Sequence, residues 1–344
     1  MTRRLDFAIL GLVFALLAHP LRSQQGASND SKPDGKIRLD VVVTNGSGKV
    51  ASGLSMESFK LLDNGVPREL ASFSEFAAAK NPVGVLIVVD AVNTPTSALA
   101  YQREQIVKYL RANGGRLAHV TTFAVLTDKG IQIFNQPSQD GTALASELEH
   151  YEIGLRQIGR DQGFYGAQDR LTISLKALRE IAAFEENSPG RKLVAWVSPG
   201  WPLLSGVGVQ LDGKQQQQIY SNVVAYSTLL RDAGITLDSV NSWGVGESVG
   251  RASYYETFLN GVSKPGQTQV GNLGLQVLAT QSGGLVLNSS DVPGMLNQCV
   301  SDADDYYELS FEPAHLEKPN EYHRIQIVVP GMKVRTRQSY YTQP

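Results

Sequence analysis

The stretch VGVLIVVDAVNTPTS, residues 83–97, is apolar up to Asp90 and turns polar at Asn93, Thr94 and Pro95. A buried strand ending in one carboxylate is how α/β proteins deliver a metal ligand or a catalytic group to a loop. An Asp before an Asn-Thr-Pro turn also accepts backbone N–H bonds or caps the helix that follows. Other stretches invite chemical readings too. GESVG, residues 246–250, has the Gly-x-Ser-x-Gly spacing of a hydrolase, with Ser248 as nucleophile. Asp291 or Asp302, then His315 or His323, follow in triad order. That motif needs a buried strand running into the serine, whereas NSWGVGES is polar and glycine-rich, so a loop is favoured. GVQLDGKQ, residues 208–215, has the Gly-x4-Gly-Lys spacing of a phosphate loop, but Gln215 replaces the Ser or Thr that would hold Mg²⁺. His119, His150, His315 and His323 show no zinc spacing.

The composition says what scaffold holds these residues. Hydrophobic residues make up 42% and charged residues 19% of 344, which places the chain among globular rather than disordered sequences. The net charge of -2, with no basic run, argues against nucleic acid as a partner. A single cysteine, Cys299, leaves no intramolecular disulfide to form, and its amphipathic surroundings predict a small buried hydrophobe. At the N-terminus, Arg3 and Arg4 precede an apolar stretch over residues 7–18, and the small Ser23 follows a polar segment. This reads as a signal peptide over 1–23, cleaved near Ser23, and predicts a periplasmic or secreted protein. Asp6 and Leu21 depart from the ideal pattern, so a membrane is a partner only if the segment stays uncleaved.

Beyond a linker at 24–36, hydropathy divides the chain into three. Residues 37–78 alternate in the β manner, with a turn at Asp63-Asn64-Gly65. Residues 82–304 alternate strands with helices: strands at 83–90 and 191–198, a hairpin at 118–134, and helices near 97–112, 141–150, 168–185, 214–232 and 291–303. The rhythm predicts a doubly wound, mostly parallel sheet with helices on both faces. Residues 305–344 return to β as YYELSFEP, HRIQIVVP and VRTRQSYY. Neither β segment can bury a core alone. The two are expected to pair into one small sandwich, with the α/β domain inserted between them.

The order of these motifs resembles the von Willebrand factor type A family, in its bacterial exported, acidobacterial-type branch. The strand ending at Asp90, the hairpin whose second strand is a lone antiparallel edge, and GRKLVAWVSPG carry the resemblance, together with the flanks GLSMESFKLLDNG, LATQSGGLVL and YYELSFEP. It implies a Rossmann-like sheet, no enzymatic activity, a protein ligand, and a metal-ion-dependent adhesion site. In that site an Asp-x-Ser-x-Ser loop, a Thr near the middle helix and an Asp after the fourth strand hold Mg²⁺. Asp90 takes the first position and Thr94 the second Ser, while Thr172 or Ser174 stands for the Thr. Val92 replaces the first Ser, and Ser198-Pro199 stands where the second carboxylate should be. One carboxylate with neutral hydroxyls binds Mg²⁺ weakly, since that ion sheds water reluctantly. The site is therefore expected to be degenerate and no cofactor is expected beyond weak Mg²⁺. Recognition of a protein is expected at the loop edge of residues 90–97, 198–212 and 241–253, with Asn93, Trp201 and Trp243 as contacts, the alternative being that these tryptophans pack their loops onto the sheet. The alternatives are a Mg²⁺-dependent adhesin using Asp90 and Thr94, and a serine hydrolase through Ser248.

Overall fold

The computed structural model describes residues 35–77, 83–152, 163–186, 188, 190–204, 210–242, 254–302, 304–313 and 318–343. The signal segment and nearly all of the linker lie outside them. The chain begins with β1 (Ile37–Thr44), β2 (Lys60–Asp63), β3 (Val66–Arg68) and β4 (Ser72–Ala77). Asn64 and Gly65 both have positive φ, 50° and 81°, which is the twist a two-residue hairpin between β2 and β3 requires.

Strands and helices then alternate: β5 (Gly84–Asp90), α1 (Thr96–Arg111), β6 (Arg116–Thr127), β7 (Gly130–Ile133), β8 (Ser138–Asp140), α2 (Gly141–His150), α3 (Gly163–Glu185), β9 (Lys192–Val197), α4 (Gly213–Asp232), β10 (Ile235–Asn241), α5 (Leu275–Ser282), β11 (Val286–Asn288) and α6 (Val292–Ser301). The sheet runs β11-β10-β9-β5-β6-β7. All neighbours are parallel except β7, which is antiparallel at one edge, and the short β8, which joins β6 antiparallel. This is the doubly wound order 3-2-1-4-5-6. With its antiparallel third strand it is a von Willebrand A-type sheet.

The apolar run at 83–90 is explained by burial on both faces. Leu86 and Val88 point to a core with α3, α4 and α5, through Leu175, Leu178, Ile219, Val223 and Leu278. Val85, Ile87 and Val89 point to the other core, with α1, α2 and α6, through Ile106, Leu110, Leu148, Leu296 and Cys299. The switch point of the sheet falls between β5 and β9, so the C-terminal ends of these two strands open onto the crevice where such sheets bind ligands.

The C-terminal segment adds β12 (Asp305–Phe311), β13 (Tyr322–Val328), β14 (Lys333–Arg335) and β15 (Ser339–Tyr341). Two four-stranded sheets result, ordered β14-β1-β12-β4 and β15-β13-β2-β3. Each is built from both ends of the chain: Leu39 stands opposite Leu309 and Leu61 opposite Ile327. Leu39, Val41, Phe59, Leu61, Leu309, Phe311 and Tyr340 form the core between them. The stretch VRTRQSYY, expected as one strand, is two. Val334 pairs with Val43 in one sheet and Ser339 with Arg324 in the other, so the chain changes sheets at residues 336–338.

The crossover at 336–338 presses on the end of α5. Gly283, its C-cap at φ 87°, has room for no side chain: a Cβ would lie 2.7 Å from the Thr336 carbonyl carbon. Gly283→Ala is expected to destabilise the fold by about 2 kcal/mol through left-handed strain and this clash. Urea denaturation reads it, and a loss below about half of that would mean the 336–338 crossover yields freely.

Candidate functional site

The crevice at the switch point is built around Asp90. β5 delivers it, and the carboxylate is fully buried, at 0% exposure. Its Oδ1 accepts the backbone N–H groups of Val92 at 3.0 Å and Asn93 at 2.8 Å. Its Oδ2 accepts the Asn93 amide Nδ2 at 2.8 Å and the Trp196 indole Nε1 at 2.9 Å. The Ser198 hydroxyl also bonds to it. Burial pushes the Asp90 pKa up, and the donors from Trp196, Asn93 and Ser198 oppose that shift. The donor cage suits the ionised form, while the low-dielectric surroundings penalise it.

The neighbouring groups are committed as well. Asn93 Nδ2 also donates to Ser174 Oγ at 2.8 Å, and Ser174 in turn donates to the Arg170 carbonyl one helical turn back. Thr172 donates to the Gln168 carbonyl at 2.9 Å within α3. Thr94 is fully buried. Val92 packs in the apolar core with Leu86, Trp196 and Trp201. Ser198 Oγ accepts the Gly200 N–H at 3.2 Å, so this serine both caps its own turn and supplies Asp90.

Of the residues expected around an ion, the structure joins Asp90 and Ser174 through the Asn93 amide in one hydrogen-bonded chain, and turns Thr172 onto its own helix. Both Asp90 oxygens are engaged by N–H donors, while the Asn93 amide oxygen is buried with no hydrogen-bond partner among the described residues. Among the described residues no cluster of three His, Cys, Asp or Glu side chains is placed to hold a metal.

The expected partner contacts need correcting in their exposure. Asn93 is 2% and Trp201 4% exposed. Trp201 packs edge-on against Trp196, with ring centroids 4.9 Å apart, so it closes the crevice rather than presenting itself to solvent. Trp243 and Ser248 lie outside the described residues, as does His315.

What remains of the competing constellations is dispersed. Asp291 caps α6 by accepting the Gly294 N–H, and Asp302 pairs with Arg335. His323 bonds through Nδ1 to Asp63 at 2.7 Å inside the sandwich. Gln215 completes a capping box with Asp212 at the start of α4. His119 pairs with Asp304 at 2.9 Å, and Cys299 is fully buried, with its thiol pKa pushed well up by that burial.

Trp196 is the member of the site that the motif comparison passed over. A Trp in the middle of a wholly apolar strand carries an N–H that must find an acceptor once buried. Asp90 is the acceptor on the adjacent strand, one residue beyond Val89, which pairs with Val197.

No family model matches the sequence, and no curated protein matches it. Solved structures do show similarity. Human COPII-coat protein Sec24c has a TM-score of 0.32 at 11% identity over 82% of this chain and 49% of its own, so this chain spans about half its length. The SpRpn10 VWA domain has a TM-score of 0.28 at 12% identity, over 63% of this chain and 94% of its own. Manganese-loaded Plasmodium vivax TRAP protein has a TM-score of 0.34 at 8% identity, over 80% and 97%. The fold assignment rests on the strand order and the antiparallel edge described above.

Proposed function

We propose that this chain is a non-enzymatic protein-interaction module of von Willebrand A type, exported to the periplasm or beyond, which binds its partner without a metal at Asp90. The observation that carries this reading is the saturation of the Asp90 carboxylate by N–H donors from Val92, Asn93 and Trp196. In a metal-dependent adhesion site the partner's carboxylate completes the shell of an ion. Here the loop has become an internal brace, and contact falls to the surface around it.

Exposed aromatics stand on the elements that leave this edge. Tyr101 is on α1, Phe164 and Tyr165 open α3, and Tyr254 follows the loop after β10. Phe164 and Tyr165 lie in the first turn of α3, the helix whose Ser174 meets Asn93. Aromatic side chains in such positions are what protein interfaces favour. Export rests on the Arg3-Arg4 and apolar 7–18 pattern. No helix among the described residues is long and apolar enough to cross a membrane.

The melting temperature is expected to stay flat under Mg²⁺ or Mn²⁺ titration, and capture of partner from an envelope extract to be equal with and without chelator. Phe164→Ala with Tyr165→Ala is expected to reduce capture without lowering the melting temperature. A metal-dependent rise in melting temperature that vanishes in Asp90→Ala would instead establish the Mg²⁺-dependent adhesin.

A further inference from the structure

The opposite end of the α/β sheet, at the N-terminal ends of β9 and β10, faces the sandwich across a cavity of about 320 Å³. Its walls come from three sources. Arg38, Asp40 and Glu308 belong to the sandwich strands β1 and β12, and Arg191, Lys192 and Arg231 to the α/β domain. Arg337 comes from the crossover between β14 and β15.

Most of these charges have partners. Arg191 Nε lies 3.5 Å from Asp40 Oδ2, and its guanidinium stacks over Tyr306 at 4.8 Å. Arg231 Nε lies 3.0 Å from Asp232 Oδ1. Glu308 interacts with Arg38, and Lys192 with Glu185 and Asp40. Arg337 differs. It is 8% exposed, and among the described residues no carboxylate reaches it within ion-pair distance. Among the described residues its side chain makes one hydrogen bond, Nη1 to the Ser227 carbonyl, at 3.5 Å. Burial and the nearby Arg231 push its pKa down to about 10, with Asp40 and Asp232 opposing.

A guanidinium carries five donors in a rigid fork, and an underpaired buried cation is costly unless an anion joins it. The volume is in the range of small-molecule sites. Cations approach it from three structural elements, and a tetrahedral oxyanion presents oxygens in enough directions to meet all of them. Asp40, Asp232 and Glu308 also line the cavity, but the five cations Arg38, Arg191, Lys192, Arg231 and Arg337 outnumber these three carboxylates.

We propose that this cavity binds a small phosphate-class oxyanion, either free phosphate or the phosphate of a phosphomonoester, held by Arg337 with Lys192 and Arg38 and joining the sandwich to the α/β sheet. The inference is independent of the Asp90 reading, because the two sites lie at opposite ends of the parallel strands.

The test is a thermal-shift and calorimetric titration of the whole chain with inorganic phosphate and with glycerol 3-phosphate, each against sodium chloride of matched ionic strength. A saturable rise in melting temperature is expected with at least one of them, and which one identifies the source. Arg337→Gln is expected to weaken binding at least ~10-fold by removing the charged fork. Arg38→Gln, on the exposed rim, is expected to weaken it severalfold and decides the matter should Arg337→Gln fail to fold. No saturable response over chloride with either ligand overturns the proposal. So does an undiminished response in Arg337→Gln or, where that variant does not fold, in Arg38→Gln.

Discussion

Asp90→Ala is expected to destabilise the fold by about 4 kcal/mol at pH 7, far more than the loss of an exposed ligand would. The truncation leaves the N–H groups of Val92, Asn93 and Trp196 and the Asn93 amide facing a void with no acceptor. It also opens a cavity between the two central strands. Asp90→Asn is the sharper probe. It keeps the volume but presents an NH₂ to donors that need an oxygen, for an expected loss of about 3 kcal/mol. Urea denaturation followed by circular dichroism measures both. A loss below about 1 kcal/mol in each would mean that Asp90 braces nothing, and would return it to the role of an ion ligand.

Asp238→Asn is expected to stabilise the protein above pH 7, by about 2–3 kcal/mol, and to have little effect near pH 4. Asp238 lies on β10 at 1% exposure. Its Oδ1 accepts the Leu285 N–H at 2.6 Å, Oδ2 has no partner at ordinary hydrogen-bond distance among the described residues, and the Cys299 thiol interacts with the carboxylate. Burial raises its pKa to about 6, against the Leu285 N–H and the Arg335 charge. A carboxyl group whose folded pKa exceeds its unfolded value stabilises the fold fully only below that unfolded value. Its contribution is lost as pH rises through about 6. The asparagine keeps the Leu285 bond and does not ionise. Asp40, Glu185, Asp302 and Glu308 are shifted the same way by burial, so the difference between wild type and variant is the quantity to follow. A stability difference that does not change between pH 4 and pH 8 would sink the assignment.

The fold was largely legible because its signals are local. The run at 83–90 is apolar on both faces, as a central parallel strand must be, and helices such as 96–111 show the one-sided pattern of a surface helix. Pairing of the two chain ends followed from neither segment having core enough alone. Two features were not legible. The split of residues 334–341 depends on which sheet each half meets, and alternation along the strand carries no such information. The short turns of 3-10 helix at 254–258 and 270–273 are packed in place by contacts such as Asn272 Nδ2 to the Phe258 carbonyl, 14 residues away.

At the site, residue types were enough to show that Val92 and Ser198 break the ligand pattern, but not what replaced it. Motif comparison asks which expected ligands are missing, and Trp196 is not an expected ligand. The cue was chemical: a polar-tipped aromatic in a buried strand, beside a strand that ends in a carboxylate. Trp201, an aromatic expected either to meet a partner or to pack its loop onto the sheet, does the second: it packs edge-on against Trp196 and is buried with it.

The interleaved sandwich sets an order of events during biosynthesis. Tyr340 bonds to Asp63 across 277 residues, and the Tyr307 hydroxyl reaches the Ala51 carbonyl across 256. Strands β1 to β4 therefore emerge from the ribosome long before the strands that complete their sheets, and must wait unpaired while the intervening α/β domain collapses on its own local contacts. The later stretch, from β12 to β15, then acts as a clasp fastening the earlier one. A ribosome stalled before residue 305 would hold a folded α/β domain with an open, sticky leader. The clasp is also the part that must come undone first if this chain is ever threaded through a narrow channel.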